Sequence, residues 1–338
     1  MDRPAAPVTM RPCVYATSGW GIHDDRWTDA LRYVGFDPQI IRLGIEVSSP
    51  TDLRHRVDEA ASPDTPVLAG PLESVASHLI GLAAPVIGLS WGFDLHTMSD
   101  NSWLPRLHRL IVDSEATMRI ARDAGVNPEG ITFLPWGVDV DRFRPDGPRA
   151  HLTRWGVQQS GRTVLSLRAH EPLYRVEDIV EGFALASKEE ADLHLLVGHS
   201  GSLTDELRCQ ARELGIAERT HFIGSIPEAD LPDLFRAADV YVSASEVDGT
   251  SVTLLQAMAC GTSVVASETA GNGPWVRPGK TGYLFATGDT IGLAHRLVAA
   301  LDESPPVRSQ LTHNARALVE DQADWNANVW RLRQALEV

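Results

Sequence analysis

Between residues 239 and 261 the chain runs DVYVSASEVDGTSVTLLQAMACG, a segment whose residue types and order could do chemistry. Val240-Tyr241-Val242 reads as a buried strand, Asp248-Gly249-Thr250-Ser251 as a tight polar turn, and Val252, Leu254, Leu255, Met258 and Ala259 as the apolar face of a helix. A helix that starts in a glycine-containing turn presents unpaired backbone N–H groups and the positive end of its dipole. The chemistry on offer is therefore the binding of an anion, and a phosphate or diphosphate suits it. Gly249, Thr250, Ser251 and Val252 would supply the amides, and Asp248 and Gln256 carry side-chain acceptors beside them.

A second group of candidates lies in LSLRAHEPLYRVEDIVEGF, where Arg168 closes a strand and Arg175 follows seven residues later. A guanidinium is a fixed fork of donors that can hold an oxyanion, although a solvated surface role remains the alternative for each. Ser18-Gly19-Trp20-Gly21, after the first strand, is either a simple turn or a loop whose small residues let a substrate approach the backbone. Asp94, in Leu89-Ser90-Trp91-Gly92-Phe93-Asp94, is a candidate hydrogen-bond partner or base, with His96 and His23 nearby in sequence; a structural or surface role is the plainer reading of each histidine. Two strings are discounted. Asp139-Val140-Asp141 has the form of a DxD metal motif but lies in an irregular segment, and Gly271-Asn272-Gly273 completes no dinucleotide-binding glycine pattern. No metal site is expected, and Cys13, Cys209 and Cys260 have neither metal-ligand spacing nor an even count.

The elements that must position these residues alternate. In the first half, strands near 13–16, 39–43, 67–69, 86–89, 110–112 and 131–134 are separated by helices near 24–35, 51–61, 74–83 and 114–125. Residues 135–150, PWGVDVDRFRPDGPRA, hold three prolines and two glycines and read as a link. A second series follows, with strands at 164–167, 193–197, 220–223, 240–242 and 264–266 and helices near 176–188, 204–214, 230–237 and 252–260. Such alternation predicts two Rossmann-like doubly wound α/β domains, with ligands at the carboxyl ends of the strands. The expected division is 1–145, 146–320 and a terminal helix, 321–338, that packs back towards the first domain. A length of 338 residues suits two such cores. The net charge of −15 argues against nucleic acid and against adhesion to an acidic membrane face. The opening MDRPAAPVTMRP has no apolar core of a signal peptide, and no run is long enough to span a membrane, so a soluble cytoplasmic protein without a stable membrane anchor is expected. A homo-oligomer is left open.

Residues 248–261, DGTSVTLLQAMACG, with the following TSVVASETAGNGPWVRPGKTGYLFATGD, resemble the donor-binding half of retaining GT-B glycosyltransferases of family 4. The likeness is dense from about 220 to 290 and extends more weakly to LPWGVDVDRFRP at 134–145 and to the tryptophan-bearing terminal stretch. Three departures stand out. Where the family has Glu-x7-Glu this chain has Asp248 and Gln256, the clamp lysine falls near Tyr174 or Arg175, and Trp91 replaces a histidine.

The resemblance implies a GT-B fold, two domains facing across a cleft, and transfer of a sugar from a nucleoside diphosphate to a small hydroxyl-bearing acceptor with retention. It implies no cofactor beyond the nucleotide-sugar co-substrate, and it gives each residue a role. Asp248 meets the donor sugar's hydroxyls and Gln256 the ribose; Arg168 and Arg175 clamp the diphosphate; the loop of Gly224 and Ile226 reads the base through its backbone; Gly19, Trp20, Asp94 and His96 face the acceptor. The leaving phosphate itself would help deprotonate the acceptor. Two other readings are kept beside this one: a nucleotide-sugar-binding protein without turnover, which Gln256 and the missing lysine encourage, and a nucleotide-sugar epimerase on the same fold.

Overall fold

The structure, a computed structural model, describes residues 10–19, 21–157, 161–189 and 192–337. By internal contacts the chain forms two compact units, one of residues 1–135 with 326–338 and one of residues 136–325. The first contains β1 (Arg11–Ser18), α1 (Ile22–Tyr33), β2 (Phe36–Leu43), α2 (Pro50–Ala60), β3 (Val67–Ala69), β4 (Val86–Leu89), α3 (Phe93–Thr97), β5 (Arg109–Val112), α4 (Glu115–Asp123) and β6 (Ile131–Phe133). Its six strands form one sheet in the order β2-β1-β3-β4-β5-β6, all parallel. The helices begin where the sequence supplies caps. Ser49 accepts the Asp52 amide at 3.1 Å ahead of Pro50, and Ser114 and Thr117 form a reciprocal box at the start of α4.

The second unit contains β7 (Arg162–Ser166), α5 (Val176–Ala186), β8 (Leu193–Gly198), α6 (Thr204–Glu213), β9 (Thr220–Gly224), α7 (Leu231–Ala237), β10 (Val240–Ser243), α8 (Val252–Ala259), β11 (Ser263–Ser267), β12 (Tyr283–Phe285), α9 (Thr290–Asp302) and α10 (Pro305–Gln322). Its parallel sheet runs β12-β11-β10-β7-β8-β9. Both faces are buried, so its strands read as continuous apolar runs. Leu165, Leu196, Tyr241 and Val264 pack with Leu234 of α7, Leu254 of α8 and Val319 of α10. Val164, Val197, Val242 and Val265 point the other way, to Ile179 of α5, Leu207 of α6 and Leu293 of α9. The chain winds from β7 outward through β8 to β9, then returns to place β10 on the other side of β7. The β7–β10 seam is therefore the topological switch point, where adjacent loops diverge and leave room for a ligand.

The expected helix at 74–83 reduces to a single 3-10 turn, Ala76–Leu79, between a turn at Pro71 and Gly81, whose φ of 84° ends it. The segment at 136–145 is held within the second unit. Phe143 is 2% exposed with its ring 6.3 Å from that of Phe235, and Arg316 of α10 donates to the carbonyls of Val140, Phe143 and Ala259. Asp139 Oδ1 caps its own turn, accepting the amides of Asp141 and Arg142 at 3.1 Å, so the DxD string is local turn chemistry. The terminal stretch is not one helix. After α10 the backbone at Asp324 bridges to Val138, and two short helices follow, α11 (Trp325–Asn328) and α12 (Trp330–Leu336). From α12, Arg333 donates to the Val34 carbonyl and Arg331 to that of Phe133, which ties this end to the first unit. Among the described residues no helix is long and apolar enough to cross a membrane.

Candidate active site

β7 and β10 lie side by side, so the loops leaving their carboxyl ends meet although they are about eighty residues apart in sequence. Arg168, two residues beyond β7, points its guanidinium at the turn that follows β10. Its Nη2 lies 2.9 Å from Asp248 Oδ2 and its Nη1 donates to Ser251 Oγ at 3.0 Å. Beneath it the ring of Tyr174 stacks 4.2 Å from the guanidinium carbon, a cation–π contact that fixes the plane of the fork. The side chains of Arg168 and Asp248 are only 10% and 14% exposed. Burial opposes the arginine's charge, but Asp248, Tyr241 and Tyr174 outweigh it, so its pKa is raised and it is a permanent cation. Ser251 is the N-cap of α8, yet its side chain caps nothing; its hydroxyl serves Arg168 instead, and the first amides of the helix are left for another acceptor. Tyr241 supports this corner from below, its hydroxyl 2.6 Å from Thr253 Oγ1.

Several buried polar atoms around this corner have no hydrogen-bond partner: Ser166 Oγ at the end of β7, Arg168 Nε, Gln256 Oε1 on α8 and Asn272 Oδ1 beyond β11. Gln256 is 7% exposed, and Ser166 and Asn272 are fully buried. Because an unpaired buried polar group costs about 1–3 kcal/mol, such a concentration marks a place prepared for something polar. The Gly271-Asn272-Gly273 string has a structural purpose here. A Cβ on Gly271 would stand 1.8 Å from the Gly249 carbonyl and 2.3 Å from that of Asp248, so only glycine lets this loop close over the Asp248–Gly249 turn.

Other expected site residues fall elsewhere. Arg175 does not join Arg168. Its Nε and Nη2 reach Asp178 at 2.6 and 3.2 Å, in the first turn of α5, and its backbone takes the left-handed conformation, φ 47°, at the N-cap. Its guanidinium is thus held by a carboxylate of its own helix, and the residue facing Arg168 is Tyr174. Gly224, with φ 67° and open space around a hypothetical Cβ, ends β9, and Ile226 packs partly buried against the core.

In the first unit, Gly19 has φ 67° and open space beside it, while Trp20 lies outside the described residues. The loop is held by a residue that sequence reading overlooked. Asp24, 1% exposed, accepts from Tyr15 and Thr17 hydroxyls at 2.9 and 2.7 Å and from the Gly21 amide at 2.8 Å. Its signal was available in the acid three residues after Gly21, at the start of α1. Asp94 is likewise a loop anchor. Its oxygens accept from Leu72 N, Ser90 Oγ, Trp91 N and Leu95 N at 2.7–3.1 Å, and it is 6% exposed. Burial raises its pKa and these bonds oppose the rise. Both of its oxygens are engaged in these bonds. His96 is exposed at the end of α3. No group of three or more His, Cys, Asp or Glu residues among the described residues could hold a metal ion.

The sequence profile of the family described as glycosyl transferases group 1 matches residues 151–335. Among curated proteins, D-inositol 3-phosphate glycosyltransferase 2 of Catenulispora acidiphila is 32% identical over 199 residues, 56% of this chain and 46% of that protein. Mannosylfructose-phosphate synthase of Agrobacterium fabrum is 32% identical over 181 residues, 47% of this chain and 39% of that protein. The chain thus spans about half the length of the curated relatives it matches. Among solved structures, Anabaena HepE in complex with UDP superposes with a TM-score of 0.78 at 17% identity, covering 97% of this chain and 99% of that one. Sucrose-phosphate synthase of Thermosynechococcus elongatus gives a TM-score of 0.76 at 17% identity, covering 96% and 98%. Two parallel-sheet Rossmann-like units, the profile match and these likenesses agree: the chain has the GT-B fold and belongs to the glycosyl transferases group 1 family.

Proposed function

We propose that the protein is a glycosyltransferase that moves a sugar from a nucleoside diphosphate to a small soluble hydroxyl-bearing acceptor, with retention of anomeric configuration. The observation that carries this reading is the convergence of Arg168, Asp248 and the uncapped start of α8 at the switch point of the second sheet, ringed by unpartnered polar atoms. In the reaction the bond between the anomeric carbon and the diphosphate oxygen breaks and its electron pair leaves with the diphosphate. The growing negative charge is met by Arg168 and by the amides from Gly249 to Val252, in a setting where fixed donors need no reorganisation. The anomeric carbon joins the acceptor oxygen on the same face, and the acceptor proton passes to the departing phosphate. Asp248 accepts from hydroxyls of the sugar, Gln256 Oε1 from the ribose, and the backbone of Gly224 and Ile226 borders the base. The relatives support the donor class: HepE was solved with UDP and with UDP-glucose.

A binding protein without turnover is favoured by one observation, the engagement of Arg175 with Asp178, which leaves Arg168 as the only side-chain cation assigned to the diphosphate. Mass-resolved transfer from a panel of nucleotide-sugars to small polyol and sugar-phosphate acceptors separates the two. A glycosylated product, lost by on the order of 10²-fold or more in Arg168→Ala, is expected of the enzyme. Stabilisation by nucleoside diphosphates with neither transfer nor donor hydrolysis would make it a binding protein.

A further inference from the structure

The donor site is closed on one side and open on the other. Beyond β11 the loop at Gly271 lies against the Asp248–Gly249 turn so tightly that no Cβ fits, so a nucleotide whose diphosphate sits at Arg168 cannot extend that way. Towards β8 and β9 the strand ends carry Gly224, with open space beside it, and His199, whose side chain is exposed. His199 has φ 69°, in the left-handed region that non-glycine residues seldom occupy. Its amide donates to the Gly224 carbonyl at 2.8 Å, which pins the residue at the end of β8 between Arg168 and the Gly224 loop. Neighbouring strands are about 4.8 Å apart, so β8 and β9 stand roughly 5 and 10 Å from β7, the span over which a nucleoside diphosphate carries its base away from its phosphates.

From this placement, which rests on the proposed donor class, we infer that His199 is the side chain on which the nucleobase stacks. The backbone strain of a left-handed histidine is of the kind found where a side chain must be presented to a ligand. Partial desolvation, then the charge of Arg168, lowers the imidazole's pKa below the usual histidine value. The ring is therefore neutral at pH 7, and a neutral aromatic plane beside a permanent cation suits stacking on a base better than pairing with a phosphate.

Calorimetric titration of wild type and His199→Asn with UDP, GDP, ADP, dTDP and inorganic pyrophosphate tests this. Asparagine tolerates the left-handed backbone, so the fold is kept while the ring is removed. His199→Gly, which any φ suits, is the second variant. The nucleoside diphosphates are expected to lose affinity roughly tenfold, as base–aromatic contacts do, with pyrophosphate binding unchanged. Nucleoside diphosphate affinity within twofold of wild type in both variants would overturn the inference while leaving the proposed function intact. An equal loss for pyrophosphate would also overturn it, by moving the ring to the phosphates. Failure of every nucleoside diphosphate to bind the wild type would overturn both.

Discussion

Gly271→Ala isolates the contact between the loop after β11 and the donor turn. Gly271 does not have a positive φ, so alanine meets no conformational penalty there and the effect is steric. The added methyl would stand 1.8 Å from the Gly249 carbonyl oxygen and 2.3 Å from that of Asp248, both backbone atoms that cannot rotate aside. One loop must retreat by on the order of 1 Å, and overpacking of this kind costs about 1–3 kcal/mol. If the turn moves, the first amides of α8 and Asp248 leave their positions around the proposed diphosphate site, and the strain is expected as lost affinity of roughly five- to a hundredfold. Gly273→Ala is the control, because its methyl would come no closer than 3.4 Å, to the Thr269 carbonyl. Calorimetric titration with UDP, beside thermal melts of both variants, gives the comparison. Wild-type affinity in Gly271→Ala, with an unchanged melting temperature, would refute the idea that this loop defines the donor turn.

Removing the carboxylate with Asp248→Asn leaves the nearly buried Arg168 uncompensated, and breaking such a pair costs about 3–5 kcal/mol at most. A drop in melting temperature that 5 mM pyrophosphate reverses more fully than it raises the wild type is expected; an unchanged melt would mean that solvent already compensates the charge. Arg175→Ala removes an ion pair at the start of α5 and should leave UDP affinity within about threefold of wild type by titration. A tenfold loss would return Arg175 to the clamp. On the far edge of the second sheet, His221 Nε2 lies 3.0 Å from His194 Nδ1, and burial, then His194, lowers the His221 pKa from 6.5. Its neutral form is favoured in the folded state, so its contribution is present above about pH 6.5 and is lost as pH falls towards the folded value. His221→Gln should flatten the fall in melting temperature between pH 7.5 and 5, and an unchanged slope would remove this pair from the acid response.

The β10–turn–α8 unit was legible because its signals are local: a β-branched strand, a glycine turn and apolar residues at helical spacing within 23 residues. The same holds for β1 to β11. In the carboxyl third, β12 is three residues beside a glycine, and α10 buries only Leu311, Ala315 and Val319, too sparse a stripe to announce an 18-residue helix. Partnerships within the site are a different matter. Arg168 meets Asp248 only because the crossover sets β10 beside β7, and no local pattern announces that Tyr174 lies under the guanidinium while Arg175, the next residue, turns to Asp178. Of the four bonds that hold Asp94, those from Ser90, Trp91 and Leu95 are local, whereas nothing in its neighbourhood of the sequence shows that the Leu72 amide, 22 residues earlier, donates to it.

The most direct measurement is a crystal structure of the protein with a bound nucleoside diphosphate, UDP first. The diphosphate is expected within hydrogen-bond distance of Arg168 and of the backbone amides between Gly249 and Val252, with Asp248 released from Arg168 towards the sugar side. A nucleotide bound elsewhere, with the Arg168–Asp248 pair intact and the start of α8 unoccupied, would contradict the account.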